Sequence, residues 1–465
     1  MGALRRGVTW VFRRVIVPAY CRDVEVVGDV PSRDVRGRLF VSNHVNAILD
    51  PILVFVTSGC DISPVAKSTL WKVPGFAFLL GVVDSVRIVR RTDDPTKQGG
   101  SNDRVFDEVA AWLRAGGNIL IFPEGTSHNQ PHLVDLKSGA ARMLLRALET
   151  GPASDLTVQP VTLEFDDREE ARSRVLIQYG PVRPASDFTG EGDAFLAAVN
   201  DVIRRDLSDQ LVEAATWDDF ALVTRAAQML AHDAGDPSMS AWNRAGREVE
   251  SALVAARSGS GPPPRERGAT APPTTDAPAV AAAREAVSAY HDRLASLGLT
   301  DADVACPPPV ADSFARGIAL FLALPLAATG MLLHGPPYLA VRLLAARVKS
   351  GDETSTLRLG AALALHPPFT ALLLAIVFWQ SPIPWGLLFA AVSLLSPFAI
   401  VAWLDAAPRL LHALRRALHG GALPPVREAR RQALSRVREL LSATPRGQPL
   451  SADQPPSTDS TIADG

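Results

Sequence analysis

The last third of the chain carries three long apolar runs, at residues 317–333, 361–379 and 385–404. A helix needs about 20 apolar residues to cross the roughly 30 Å hydrocarbon layer of a bilayer, and the second and third runs meet that length. Because the turn-like residues 381–384 separate these two runs, the sequence predicts a helical hairpin in a membrane. The alternative is a pair of buried helices in a water-soluble core, where charge-free runs of this length are uncommon.

The first run is compatible with more than one arrangement. It has 17 residues and contains Pro325. It can span the bilayer, enter and leave by one face, or lie in the interface. If it spans the bilayer, everything before it lies on the side opposite to the ends of the hairpin.

The charges around the hairpin predict its orientation. Residues 405–441 contain eight arginines and three carboxylates, and four more basic residues lie between 342 and 358. Because cytoplasmic loops are enriched in Lys and Arg, both ends of the hairpin are expected to face the cytoplasm.

Composition limits the remaining possibilities. Hydrophobic residues make up 47% and charged residues 21% of the 465 residues, which excludes a fully disordered chain. A net charge of −2 predicts no nucleic-acid partner. The nine histidines lack ligand spacing, so no metal site is predicted, and the three separated cysteines suggest no disulfide framework. We predict four segments: a domain at 1–257, a disordered linker at 258–280, a helical membrane region at 281–441 and a disordered tail at 442–465.

The first domain alternates short apolar runs with amphipathic segments, which is typical of an α/β fold. Strands are predicted at 38–41, 86–89, 118–122, 157–163 and 175–179, and helices at 105–114 and 139–148. Before them, residues 4–17 mix arginines with large apolar side chains. That segment is either an amphipathic helix in the membrane interface or a surface helix packed on the domain.

Two polar clusters directly follow predicted strands, where functional groups of α/β folds tend to lie. The first is S-N-H-V-N-A-I-L-D-P, which ends at Pro51. A histidine with a nearby carboxylate can act as a general base, so His44 and Asp50 are candidates for deprotonating a hydroxyl. The alternative is structural, with Asp50 capping a helix that starts at Pro51.

The second cluster is F-P-E-G-T-S-H, and L-K-S-G opens the helix after it. Gly125 permits close approach of the backbone to a ligand. The hydroxyl of Thr126, the charge of Lys137 and the helix N-terminus can hold an anion. Glu124 belongs to the same cluster. A turn followed by a helix cap explains these residues equally well.

The combination of motifs is more specific than either cluster. N-H-V-N-A-I-L-D-P, V-R-I-V-R-R, F-P-E-G-T-S-H and V-Q-P-V-T-L-E-F resemble, in this order, the four blocks of the phospholipid and glycerol acyltransferase family. The stretches R-S-R-V-L-I-Q-Y-G-P-V and H-G-P-P-Y-L are similar to its fungal and bacterial glycerol-3-phosphate / dihydroxyacetone-phosphate acyltransferase branch. The resemblance covers most of residues 20–404. It implies an α/β acyltransferase domain, with a mixed sheet flanked by helices, followed by a helical C-terminal membrane region.

The resemblance also implies an activity and a set of site residues. The enzyme would transfer an acyl group from acyl-CoA or acyl carrier protein to glycerol-3-phosphate, with no cofactor, at a membrane and with its catalytic domain facing the cytoplasm. The alternative acceptors are 1-acylglycerol-3-phosphate and dihydroxyacetone phosphate. His44 would be the general base and Asp50 its orienting partner. The implied substrate-binding residues are Arg90, Glu124, Gly125, Thr126 and Lys137.

One departure concerns the spacing of the pair. Most of the family places four residues between the histidine and the aspartate, whereas this chain has five. Separations of five and six positions turn an ideal helix through about 140° and 240°, so a turn or bulge must absorb the extra residue. A residue before proline is biased away from the helical region, which makes Asp50 a compatible place for that turn.

The alternative from another class of function is a membrane lipid-binding protein in which the pair of His44 and Asp50 is inactive. A serine hydrolase is disfavoured by the lack of a G-x-S-x-G motif.

Overall fold

A computed structural model describes residues 2–72, 76–88, 103–168, 170, 172–258, 276–307, 309–346 and 351–443. Arg90, residues 259–275 of the predicted linker and residues 444–465 of the predicted tail lie outside the described residues. The described residues form an α/β domain, a helical module and a region of long apolar helices.

Within the described residues, eight strands form one mixed sheet in the order β1-β7-β6-β2-β5-β3-β4, with β8 beside β6. β6 pairs antiparallel with β7 and β8, and the other pairs are parallel. The predicted fold class is confirmed. The strands are β1 Cys21–Gly28, β2 Arg38–Ser42, β3 Ser63–Lys67, β4 Val86–Ile88, β5 Ile119–Ile121, β6 Thr157–Phe165, β7 Ser173–Tyr179 and β8 Arg183–Pro184.

Helices cover both faces of this sheet. Leu39 and Val41 of β2 pack with one group of helices, whereas Phe40 between them packs with the other, because successive strand side chains point to opposite faces. α5, α6 and α7 cover the first face, and α3 and the N-terminal segment cover the second. The helices are α1 Ala3–Val11, α2 Val17–Tyr20, α3 Leu49–Thr57, α4 Phe76–Val82, α5 Asp103–Arg114, α6 Gly139–Glu149 and α7 Gly192–Ser208.

The N-terminal segment packs on the domain, which is one of the two arrangements predicted for it. A π-helical turn at Phe12–Ile16 joins α1 to α2. Phe12 and Val17 are buried in the core of the domain, and Arg5 donates to the carbonyl of Ile62 at 2.7 Å. Trp10 is 62% exposed. The segment therefore packs on the domain through one face and presents apolar side chains on the other.

The remaining chain is helical. α8 to α11 and α15 share one hydrophobic cluster, which we call the helical module. α12, α13 and α14 contain the three apolar runs. The helices are α8 Trp217–Asp233, α9 Met239–Ser258, α10 Pro278–Leu297, α11 Asp301–Ala305, α12 Val310–Ala345, α13 Gly351–Gln380, α14 Ile383–Leu418 and α15 Leu423–Ser442.

A buried ionic network ties α15 to the helical module. The Asp301 carboxylate accepts hydrogen bonds from the ring of His232 at 2.7 Å, the hydroxyl of Tyr290 at 2.6 Å and the guanidinium of Arg430 at 2.8 Å. Burial alone would raise the pKa of Asp301, but these bonds outweigh burial and lower it to about 2. Because Arg430 belongs to α15, the network fixes this helix on helices far earlier in the sequence.

We expect Asp301→Ala to lower the free energy of unfolding of the helical module by about 3–5 kcal/mol, because Arg430 then lacks its buried carboxylate. Since the pKa of Asp301 lies below its ordinary value of about 3.9, its contribution is present above about pH 4 and is lost as the pH falls towards 2. Thermal unfolding in detergent, followed by tryptophan fluorescence, to which Trp217 and Trp242 of the module contribute, measures both effects. The exposed Asp292→Ala is the matched control, and equal unfolding temperatures for the two variants would contradict this role.

Three of the described helices are long and apolar enough to cross a bilayer, judged by length and composition alone: Ala311–Leu344, Gly360–Gln380 and Ile383–Leu418. α12 continues through its internal prolines Pro325, Pro336 and Pro337. The first apolar run is therefore part of one continuous helix.

α12 and α14 pack antiparallel to each other. Gly317, near the start of α12, faces Leu410, near the end of α14, and Gly330 faces Ser396. α11, which directly precedes α12, also packs against α14. The start of α12 and the end of α14 thus lie at the same end of the region. Three complete crossings would put these ends on opposite sides of a bilayer, so this geometry requires an even number of crossings.

Contacts of Arg172 and of Phe76 hold the α/β domain to the apolar helices. Nε of Arg172, in the turn between β6 and β7, donates to Oδ1 of Asp405 in α14 at 2.9 Å. Gly360 of α13 lies against the ring of Phe76 in α4. The domain is therefore packed directly against the apolar region.

Candidate active site

His44 and Asp50 lie on the segment that joins β2 to α3, and their side chains are in contact. Nδ1 of His44 is 2.8 Å from Oδ2 of Asp50. The same oxygen accepts the backbone N–H groups of Val45 at 2.9 Å and Asn46 at 2.8 Å. The Asp50 side chain is fully buried, whereas that of His44 is 13% exposed. Of the two predicted residues, only the imidazole reaches the surface.

The extra residue between them is absorbed at Ala47, whose φ of 45° lies in the left-handed region. α3 begins at Leu49, so Asp50 belongs to its first turn and Ile48, not Asp50, is the N-cap. The expectation that Asp50 leaves the helical region is wrong. Pro51 also lies in the first turn, where N–H groups have no helical partner, so a proline there does not prevent Asp50 from being helical.

The hydrogen bonds of Asp50 determine the tautomer of His44. Since Oδ2 accepts two backbone N–H groups, it also acts as an acceptor towards Nδ1 of the ring. Neutral His44 then carries its proton on Nδ1, and Nε2 has the lone pair of a base. Oδ1 of Asp50 is buried and accepts no bond from the described residues. This arrangement can remove a proton from a hydroxyl placed at Nε2.

The segment after β5 holds this histidine in place. The ring of Phe122 stacks on the imidazole of His44 with 4.1 Å between centroids. Oε1 of Glu124 accepts the backbone N–H of His44 at 2.6 Å, and Oε2 contacts Nε2 of His128. Because the N–H of Gln130 donates to Nδ1 of His128, the proton of that ring lies on Nε2 and is donated to Glu124. Both oxygens of Glu124 are thus bonded within the protein, and Glu124 positions the base.

The other predicted site residues differ in their placement. Gly125 has a φ of 73°, and a side chain there would meet Cγ of Lys137 at 3.3 Å, so these two residues are adjacent. Thr126 is exposed, and its hydroxyl bonds to the neighbouring carbonyl of Ser127. Among the described contacts, none joins Thr126 to the pair. Arg90 lies outside the described residues.

Sequence reasoning assigned no role to three residues that support the site: Asn43, Phe122 and His128. The Asn43 amide donates to the carbonyl of Leu163 at 3.0 Å and accepts its N–H at 2.9 Å, which joins the end of β2 to β6. No local pattern signals this contact, because its partner lies 120 positions away. The separation of four positions between Glu124 and His128 was a usable signal.

The fourth motif, V-Q-P-V-T-L-E-F, forms most of β6. Pro160 pairs with Val41 inside the sheet. Burial raises the pKa of Glu164 to about 7, although the N–H of Val212 and the amide of Asn243 donate to it. Because Asn243 belongs to α9, this motif supports the sheet and its junction with the helical module.

Residues 23–164 match the family model described as Acyltransferase. The His44–Asp50 pair, Glu124, four of the eight described strands and most of β1 and β6 lie within this range. This part of the chain is therefore similar to the acyltransferase family.

The chain is similar to several curated enzymes whose names give different acceptors. Glycerol-3-phosphate O-acyltransferase 2 of Saccharomyces cerevisiae is 38% identical over 79 residues, which are 17% of this chain and 11% of the yeast protein. Lyso-ornithine lipid O-acyltransferase of Pseudomonas aeruginosa is 30% identical over 35% of this chain and 55% of its own. The chloroplastic 1-acyl-sn-glycerol-3-phosphate acyltransferase LPAT1 of Arabidopsis thaliana is 28% identical over 32% of this chain and 37% of its own. The matched part of the chain thus covers between 11% and 55% of the length of each of these relatives.

Proposed function

We propose that the protein is a membrane-bound enzyme that transfers a fatty acyl group from acyl-CoA or acyl carrier protein to a hydroxyl of glycerol-3-phosphate. The observation that carries this proposal is the contact between His44 and Asp50, with Nε2 as the base, inside a domain similar to the acyltransferase family. The name of the yeast relative supports this acceptor.

The geometry supports a single displacement with no acyl-enzyme. Nε2 of His44 takes the proton of the acceptor hydroxyl while its oxygen attacks the thioester carbonyl. Asp50 holds the ring and stabilises the imidazolium that forms. When the tetrahedral intermediate collapses, the carbon–sulfur bond breaks and the thiolate leaves, taking the proton from His44. An ester and a free thiol result.

The membrane setting fits these substrates. The acyl donor and the lysophosphatidate product are amphiphiles, so a site at the bilayer surface avoids moving their chains through water. The contact between Arg172 and Asp405 places the domain against the apolar helices. The arginine excess in residues 405–441 favours the cytoplasmic face for this domain.

The names of the other relatives favour a second candidate, in which the acceptor is an acylated lipid such as 1-acylglycerol-3-phosphate. The test is transfer from labelled palmitoyl-CoA by the full-length protein in nanodiscs. The acceptors, offered in parallel, are glycerol-3-phosphate, dihydroxyacetone phosphate, 1-acylglycerol-3-phosphate and lyso-ornithine lipid. We expect glycerol-3-phosphate to give the highest kcat/KM. Preference for an acylated acceptor would establish the second candidate. If no acyl group passes to any acceptor, from palmitoyl-CoA or from palmitoyl carrier protein, the remaining candidate is an inactive lipid-binding protein.

A further inference from the structure

Arg168 lies in the turn between β6 and β7 and is held between two segments of the candidate active site. The amide of Asn46 donates to the carbonyl of Arg168 at 3.4 Å, and Nη1 of Arg168 donates to the carbonyl of Gln130 at 2.8 Å. Asn46 follows His44 by two residues, and Gln130 follows His128 by two. The arginine therefore spans the two segments that carry the base and its support.

The charge of the Arg168 guanidinium is influenced by several carboxylates. It lies 5.3 Å from the centroid of the Phe220 ring. Burial lowers the pKa of Arg168, and the charges of Glu164, Asp50 and Glu124 raise it. No carboxylate of the described residues forms a salt bridge with this guanidinium, although all three act on it electrostatically. An arginine remains charged at neutral pH despite such burial.

These carboxylates do not depend on Arg168 as a partner. Asp50 accepts from His44 and two backbone N–H groups, and Glu124 accepts from the backbone of His44 and from His128. Glu164 accepts from the backbone N–H of Val212 at 2.7 Å. Nη1 of Arg168 bonds to Gln130, while Nε and Nη2 donate to none of the described residues. The open edge of a planar guanidinium matches the oxygens of a phosphate.

We propose that Arg168 binds the phosphate group of the acceptor, so that the hydroxyl to be acylated lies at Nε2 of His44. This inference rests on the proposed function, from which it takes the phosphate-bearing acceptor. The other phosphate source in the reaction is the donor, since CoA carries phosphates of its own. The contact of its backbone with Asn46, two residues after the base, favours the acceptor.

The kinetic test uses the full-length protein in nanodiscs. We expect R168Q to raise KM for glycerol-3-phosphate about 10- to 100-fold, the loss expected for charge-assisted bonds to one phosphate, and KM for palmitoyl-CoA less than about threefold. R168K keeps the charge but not the paired donors, and an intermediate KM is expected. R205Q removes an exposed arginine of α7 and is the matched control with unchanged constants.

Other outcomes would overturn the inference. An unchanged KM for glycerol-3-phosphate would exclude Arg168 from acceptor binding. A rise only in KM for palmitoyl-CoA would assign it to the phosphates of the donor. Equal losses of kcat for all acceptors, with a lower unfolding temperature, would make it a structural residue.

A binding measurement separates this inference from the proposed function. Equilibrium dialysis of glycerol-3-phosphate and of glycerol needs no turnover. We expect R168Q to weaken binding of glycerol-3-phosphate about 10- to 100-fold and to leave that of glycerol unchanged. If this holds in a protein that transfers no acyl group, Arg168 is a phosphate-binding residue and the proposed function fails. Equal binding of glycerol-3-phosphate by R168Q and the unaltered protein would refute the inference directly.

Discussion

Replacing His44 with alanine is expected to lower kcat for acyl transfer at least about 10³-fold. General-base catalysis alone contributes about 10²- to 10⁴-fold, and His44 also supplies the proton for the leaving thiol. Asp50 and the backbone bonds of the segment remain in the variant, so folding and membrane association should be unchanged. Initial rates with labelled palmitoyl-CoA, together with the unfolding temperature in detergent, measure both parts of this expectation.

His419→Ala is the matched control for this variant. His419 is exposed at the end of α14, so its removal should change neither the rate nor the unfolding temperature. Turnover by His44→Ala at the rate of the unaltered protein would show that His44 has no catalytic role. A variant that lost activity only together with its fold would point to a structural histidine.

Asp50→Asn should lower kcat by about 10²- to 10⁴-fold, although it removes only one charge. Because Oδ2 of Asp50 accepts both backbone N–H groups and also contacts Nδ1 of His44, the amide oxygen of the variant must take that position. The tautomer of neutral His44 is then unchanged. The imidazolium formed during the reaction, however, loses its counter-charge.

The asparagine variant is informative because Oδ1 of its amide can still accept the N–H groups of Val45 and Asn46. The segment should therefore keep its conformation, and KM for the acceptor should change less than about threefold. The measurements are kcat, KM and the unfolding temperature, compared with Asp292→Asn as an exposed control. An unchanged kcat for Asp50→Asn would show that the pairing of His44 with Asp50 has no part in the reaction.

The sheet was predictable where strands are uninterrupted apolar runs. β2, β5 and β7 contain such runs, β6 was predicted although Gln159 and Thr162 interrupt it, and β4 was also predicted over its described residues. β1 and β3 were missed for different reasons. β1, C-R-D-V-E-V-V-G, lies at the edge of the sheet and alternates with charged residues. β3, S-P-V-A-K, has only five residues and contains a proline.

The candidate site was predictable in its chemistry but not in its connections. The H-V-N-A-I-L-D motif is local, so His44 and Asp50 could be nominated together. The bond from the backbone of His44 to Glu124 joins residues 80 positions apart, and that from Asn46 to Arg168 joins residues 122 apart. Such contacts depend on β2 lying between β5 and β6, which no run of residues encodes.

The apolar region was likewise predictable in its helices but not in their packing. Run length predicts that helices form there, because about 20 apolar residues suffice to cross a bilayer. It carries no information about which helices pack together. The antiparallel packing of α12 against α14 includes a close approach of Gly330 to Ser396, and this was not predicted.

The helical module is assembled from two parts of the chain, and this affects the order in which it can form during synthesis. α15 begins at Leu423, 118 positions after α11 ends at Ala305, and the apolar helices are made in between. The α/β domain is synthesised in full before that point. In contrast, the hydrophobic cluster of α9 and α10 stays incomplete until α15 has been made. α15 can return to them only if it emerges on the same side of the bilayer. The helical module can therefore form only in chains whose apolar helices have inserted with the correct topology.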